Sequence, residues 1–197
     1  MSIRTSRLRE YLDVVGDALK TLDTASAESA SVAIEEAYKR DSAVFIMGNG
    51  GSGSTASHAA YDFNIAVSGK LKKRFQFVSL CDNVTTLLAL SNDYGYENVF
   101  YMQIKDILKK EDVVLCISGS GNSENVVKVA EYAKSVGCKV ISFTGFDGGR
   151  LKKLADYPVH VELHDMKRAE DCHAVLLHAM ARSISEFLEK DTSEHVV

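Results

Sequence analysis

Two periods of apolar residues alternate along this chain, and their order predicts the architecture. Between Ser6 and Thr21, Leu8, Tyr11, Leu12, Val15, Ala18 and Leu19 recur at the three-and-four spacing of a helix face, continued by Leu22. Ser26 to Lys39 repeats the habit with Ala30, Val32, Ala33, Ala37 and Tyr38, so residues 1–40 read as a helical hairpin. Such a hairpin can cover an edge of a sheet or pack on another subunit. Short apolar runs follow at Ala43–Met47, Phe75–Leu80, Val113–Ile117, Lys139–Phe143 and Tyr157–Val161. Helical patterns fill the gaps at Thr55–Val67, Val84–Leu90, Asn98–Leu108, Glu124–Ser135, Gly149–Leu154 and Lys167–Glu189. Strands buried on both faces lose the in-out alternation, and strands alternating with helices form a parallel sheet covered on both sides. The expectation is an α/β three-layer sandwich with a five-stranded parallel sheet. It forms one domain over residues 1–197, a hairpin to residue 40 and an α/β core from 41.

Two of the runs end in glycine and hydroxyl residues. Ile46-Met47 leads into Gly48-Asn49-Gly50-Gly51-Ser52, and Val113–Ile117 leads into Ser118-Gly119-Ser120-Gly121-Asn122-Ser123. Glycine lets a backbone approach a ligand closely, and the unpaired N–H groups of a following helix favour an anion. Ligands in such sheets sit at the carboxyl ends of strands, where both turns lie. Gly48, Gly50 and Gly53 match a dinucleotide fingerprint in spacing, yet no acidic strand end stands about 20 residues on. No Gly-Lys-Ser/Thr follows either turn, which excludes a Walker loop. Neutral hydroxyls in two facing turns suit one phosphorylated ligand held from two sides, with turn and helix-cap duty as the plainer alternative.

Composition narrows the partners. The chain carries a formal net charge of −4, and its longest basic cluster is Lys70-Leu71-Lys72-Lys73-Arg74. That pattern reads as a solvated face, which points away from nucleic acid. No apolar run reaches the roughly 18 residues that span a bilayer, and no signal-peptide core opens the chain. Cys81, Cys116, Cys138 and Cys172 are widely spaced, without a CxxC pair, as expected of reduced thiols in a cytoplasmic protein.

Helix spacing adds a second chemistry. His58 and Asp62 are four residues apart and share a face; Glu170 and His178 lie two turns apart, roughly 80° around their helix. Two imidazoles and two carboxylates could hold zinc or another divalent ion, although His173 competes with His178 and a helix histidine is often only structural.

Gly-Asn-Gly-Gly-Ser at 48–52, Ile-Ser-Gly-Ser-Gly-Asn-Ser at 117–123, Thr-Gly-Phe-Asp-Gly-Gly at 144–149 and Asn-Asp-Tyr-Gly-Tyr at 92–96 resemble the sugar isomerase (SIS) domain family. More narrowly the chain is similar to the phosphoheptose isomerases. The resemblance implies a flavodoxin-like sheet, a phosphorylated sugar as ligand, and a homotetramer or homodimer. It implies Ser52, Ser118, Ser120 and Ser123 as phosphate and sugar contacts, supported by Asn49, Gly50, Gly51 and Gly119, with Asp82 on the substrate side. It also implies a metal set of His58, Asp62, Glu170 and His178, one zinc or other divalent ion per subunit. Asp62 stands where similar chains have glutamate and Glu170 where they have glutamine; Lys167 and Gly119 replace an acidic residue and a threonine. The implied reaction is an aldose–ketose interconversion of sedoheptulose 7-phosphate or a close relative, through an enediol(ate). Asp62 and His178 carry the catalytic role, and Glu170 is a further ligand for metal or substrate. Phe63, Asn64 and Lys70–Arg74 are candidates to shape the sugar end of the pocket. The rival expectation is a non-catalytic SIS-domain adaptor that binds a sugar phosphate or a replication-initiator-type partner.

Overall fold

The computed structural model describes residues 3–194. Helices α1 (Ile3–Lys20) and α2 (Thr24–Lys39) precede strand β1 (Ala43–Gly48) and helix α3 (Gly50–Tyr61). A π-helical turn, Asp62–Val67, and a 3₁₀ turn, Ser68–Lys70, extend α3 before β2 (Gln76–Ser79). Then come α4 (Val84–Tyr94), a 3₁₀ turn at Tyr96–Asn98, α5 (Tyr101–Ile104), β3 (Val113–Ser118) and α6 (Glu124–Val136). The chain ends with β4 (Lys139–Thr144), α7 (Gly149–Leu154), β5 (Tyr157–His160) and α8 (Met166–Glu194).

All strand pairings are parallel, in the order β2-β1-β3-β4-β5. This is the flavodoxin-like order, and the direction of winding reverses between β1 and β3. Gly48 stands opposite Ile117 at that reversal, so the two glycine-serine turns leave the sheet side by side. Alternate residues of the three central strands, β1, β3 and β4, feed two cores. Val44, Ile46, Leu115 and Ile117 join α2, α3 and α8 on one face, while Phe45, Met47, Val114 and Cys116 join α5, α6 and α7 on the other. Burial on both faces is why the strand runs read as continuously apolar.

The opening hairpin divides unequally. Asp23 caps α2 by accepting the Ala25 N–H at 3.0 Å, and Ala30, Ile34 and Ala37 of that helix are wholly buried. Helix α2 packs beside the edge strand β5, whereas α1 lies along α8 and buries no residue. Tyr11 anchors α1 there, donating to Asp171 at 2.7 Å while the Arg168 guanidinium lies over its ring.

Helices α4 and α8 run on to Tyr94 and Glu194, past the expected Leu90 and Glu189, and two other helices depart as well. The helix expected over Asn98–Leu108 shrinks to Tyr101–Ile104, because Lys105 turns extended and Asp106 takes a positive φ of 66°. Conversely α3 starts at Gly50, five residues before the expected Thr55. Its first turn tolerates glycines because close contacts, described below, need them.

The π turn also corrects the expectation for Phe63 and Asn64. Phe63 is fully buried and stacks on Phe77 with ring centroids 4.2 Å apart, so it belongs to the core instead of the sugar pocket. The Asn64 carboxamide pairs with the backbone of β2, donating to the Phe77 carbonyl and accepting its N–H, both at 2.8 Å. Lys73 is held by Asp41 at 2.6 Å and lies over the Tyr38 ring, which accounts for part of the basic cluster. All four cysteines are free. No described helix is long and apolar enough to cross a membrane.

His173 sits under β4, 0% exposed, edge-on to Phe143, with no hydrogen-bond partner at either ring nitrogen. Burial lowers its pKa from the ordinary histidine value to about 4. The unfolded chain therefore binds a proton that the folded chain refuses between about pH 6.5 and 4, and stability falls as pH falls through that window. Thermal unfolding of His173→Phe is expected to lose this acid slope, worth up to about 1.4 kcal/mol per pH unit in the parent. An equally steep acid decline in the variant would place the effect elsewhere.

Candidate functional site

The first turn opens α3. Asn49 occupies the N-cap in an extended conformation, yet its side chain makes no capping hydrogen bond. The Ser52 N–H and hydroxyl instead donate to Glu170 Oε1, at 3.1 and 3.3 Å. Gly51 makes that approach possible, since a Cβ there would collide with the Glu170 carboxylate. A carboxylate from α8 thus sits at the positive end of α3.

The second turn opens α6. Ser118 donates to Ser123 at 3.1 Å, and the Asn122 N–H donates to the Ser120 hydroxyl at 3.2 Å. Gly121, at φ +66°, lies so close to the Gly148 carbonyl that no Cβ fits between them. Ser123 is the N-cap of α6 and, like Asn49, leaves its own helix uncapped by its side chain. Two helix N-termini therefore face one cleft with donors still unspent. Asn49, Gly50, Gly51, Ser52, Ser118, Gly119, Ser120, Ser123 and Glu170 all line this cleft of about 250 Å³. Met166 lines it as well, with its sulfur against Gly119, a neighbour that no spacing in the sequence marks.

Asp82 lies outside that lining. It is exposed at the end of β2, and its Oδ1 accepts from the hydroxyls of Ser57 and, at 2.9 Å, Ser79. The pattern is a serine clip on a carboxylate after the second strand.

Farther along α3 and α8 a second constellation forms. Asp62 Oδ2 lies 3.3 Å from His58 Nε2 and 3.5 Å from His178 Nε2, and the two rings meet edge-on at 4.9 Å. One ligand atom from each of the three residues falls within 4.8 Å of the others. These separations exceed the usual hydrogen bond of about 2.9 Å. They match the edge of a tetrahedron with bonds of about 2.0–2.1 Å, which is roughly 3.3–3.4 Å. The donor set of two imidazole nitrogens and one carboxylate oxygen suits zinc with a fourth position open. Both histidines are half-exposed, and cavities of about 430 and 330 Å³ adjoin His178.

Glu170, expected as a fourth metal ligand, stands apart from this trio. Eight residues along an α-helix rotate a side chain by about 80°. His178 consequently meets Asp62, whereas Glu170 meets the start of α3. The structure so divides the expected site in two, an anion cleft at the turns and a His-Asp-His trio along the same pair of helices.

The SIS domain model matches residues 10–145, and the chain belongs to the SIS domain family. Within it the chain falls among the phosphoheptose isomerases, enzymes of the isomerase class. It is 37% identical over 182 residues to the phosphoheptose isomerase of Helicobacter pylori strain P12, covering 89% of this chain and 92% of that protein. The phosphoheptose isomerase structure from Neisseria gonorrhoeae superposes with a TM-score of 0.83 at 28% identity, covering 92% of this chain and 96% of that one. A phosphoheptose isomerase from Francisella tularensis shares the fold with a TM-score of 0.86 at 24% identity, over 94% of this chain and 100% of the other.

Proposed function

We propose that this protein is a metal-assisted aldose–ketose isomerase that interconverts sedoheptulose 7-phosphate and D-glycero-D-manno-heptose 7-phosphate, or a close relative, in the cytoplasm. Residues 1–197 act as one SIS unit in this reading. The observation that carries it is the convergence of His58, Asp62 and His178 on the same two helices that border the anion cleft. An adaptor needs no such convergence.

Dimensions support the assignment. Ser52 and His58 are six residues apart on α3, Glu170 and His178 eight apart on α8, or about 9 and 12 Å along a helix. A sugar phosphate anchored at the turns has the reach to bring its carbonyl end to the trio. Ser118, Ser120 and Ser123 hold the phosphate, and the Glu170 carboxylate accepts from a sugar hydroxyl at the α3 end of the cleft. Fixing the phosphate away from the reacting carbons supplies orientation, a large share of the barrier reduction. Asp62, through the carboxylate oxygen that a metal leaves free, is the group placed to move the proton between C1 and C2, with His178 holding the ion beside it. His58, Asp62 and His178 would hold the metal, which when bound polarises the carbonyl and steadies the developing oxyanion. The exposed leucines of α1, Leu8 and Leu12, support a homotetramer or homodimer.

Elemental analysis paired with sedoheptulose 7-phosphate turnover, before and after chelation, tests the proposal. About one zinc per chain and a loss of at least about a hundredfold on chelation, reversed by added zinc, are expected. Turnover indifferent to chelation would remove the metal from the reading. Absence of both metal and turnover would favour the adaptor.

A further inference from the structure

The side chain of Asn49 is spent in an unusual way. Asparagine is among the best N-cap residues, because its carboxamide oxygen accepts an N–H from the first turn of its own helix. Here that oxygen accepts instead from the Tyr96 hydroxyl at 2.7 Å and from Asn125 Nδ2 at 2.9 Å. Asn49 Nδ2 donates in return to Asn125 Oδ1, also at 2.9 Å. Both acceptor sites and one of the two amide N–H bonds are thereby used, which leaves a single donor. The carboxamide cannot turn over without losing these partners.

Tyr96 is itself held. Its turn follows Gly95, and Asn98 two residues later donates to the Tyr94 carbonyl at 2.6 Å. Lys128 of α6 binds Asn98 Oδ1 and lies 5.3 Å over the Tyr101 ring. Asn125, the other clamp, is 98% buried on the first turn of α6. Segments flanking both anion turns thus converge on one amide. Its retention there keeps the Gly51 N–H uncapped, since an N-cap side chain accepts from the second or third residue of its helix and the Ser52 N–H already donates to Glu170.

We propose that Tyr96 and Asn125 are positioning residues, which hold the Asn49 carboxamide off the α3 N-terminus. They reserve the first N–H groups of that helix, and the one remaining Asn49 donor, for the oxygens of a phosphorylated sugar. The inference rests on the phosphosugar reading of the cleft. Without the Tyr96 hydroxyl, one acceptor site of the Asn49 oxygen is released to compete for the Gly51 N–H of α3. Ligand binding then weakens while the two Asn49–Asn125 bonds still hold the fold, a combination that a merely structural tyrosine would not produce.

Tyr96→Phe tests this, because the ring is more than half exposed and only the hydroxyl is lost. The expected result is a KM for sedoheptulose 7-phosphate raised about tenfold, kcat within about twofold of the parent, and an unchanged thermal midpoint. In the metal-free protein, titration with sedoheptulose 7-phosphate should shift the Gly50 and Gly51 amide resonances, and the variant should need about tenfold more of it. If the parent shows the amide shifts and their dependence on Tyr96 but no turnover, the positioning role stands and the isomerase reading fails. If turnover is present and Tyr96→Phe matches the parent in KM and in sugar-phosphate titration, the positioning role is overturned while the isomerase reading stands. A parent whose amides ignore the sugar phosphate overturns it too.

Discussion

Asp62→Ala is expected to remove bound metal and turnover together. Metal content should fall from about one per chain to near zero, and kcat by at least about a hundredfold. Asp62 is the shared member of the trio, because one carboxylate oxygen faces both imidazoles. Without it, His58 and His178 present two half-exposed nitrogens on neighbouring helices with nothing to fix their spacing. Elemental analysis and turnover on the same preparation check the result. Activity within about threefold of the parent would dismiss the trio as the reacting centre. Asp62→Glu is the informative companion, since one extra methylene moves the carboxylate at unchanged charge and should recover metal before it recovers rate.

Gly121→Ala should damage both stability and binding. The residue holds φ at +66°, a region costing an L side chain roughly 1–2 kcal/mol. The added Cβ would also drive into the Gly148 backbone. Two hydrogen bonds cross this point: the Gly121 N–H donates to the Ser118 carbonyl at 2.9 Å, and the Leu151 N–H donates to the Gly121 carbonyl at 2.9 Å. The serine turn must lift away from α7, at a cost of about 3 kcal/mol or more. For a chain of this size that lowers the thermal midpoint by roughly 6–12 °C. A raised KM is expected as well, because Ser120 and Ser123 move with the turn. A variant with the parental midpoint would show that the Gly148 loop yields freely.

The sheet and the two turns were legible in the sequence because buried strands and glycine-rich turns are local signals. Ala43–Met47 and Val113–Ile117 each lie within a strand of the structure, and Lys139–Phe143 and Glu124–Ser135 came within a residue of their observed ends. His58 with Asp62 was readable because four residues make one helical turn. What stayed hidden depends on side chains from distant segments. Glu170 carries no mark of its attachment to Ser52, 118 residues away in sequence. The Asn49–Asn125–Tyr96 contacts join three segments that share no spacing. The π turn after Tyr61 was invisible for another reason. Its sequence, DFNIAV, has the periodicity of an ordinary helix, and only the core reveals the changed winding.

That changed winding also protects the molecule from its own kind. A five-stranded open sheet has two borders, and bare peptide groups along a border invite pairing with another chain. The carboxamide of Asn64 imitates a neighbouring strand at Phe77, satisfying one N–H and one carbonyl of β2 with a single side chain. At the opposite border Pro158 supplies no N–H at all, and α2 lies against the strand that contains it. In a crowded solution these two features leave few places where a foreign strand could add itself and start a fibre. Asn64→Leu would keep most of the bulk and abandon the mimicry, exchanging a soluble border for an adhesive one.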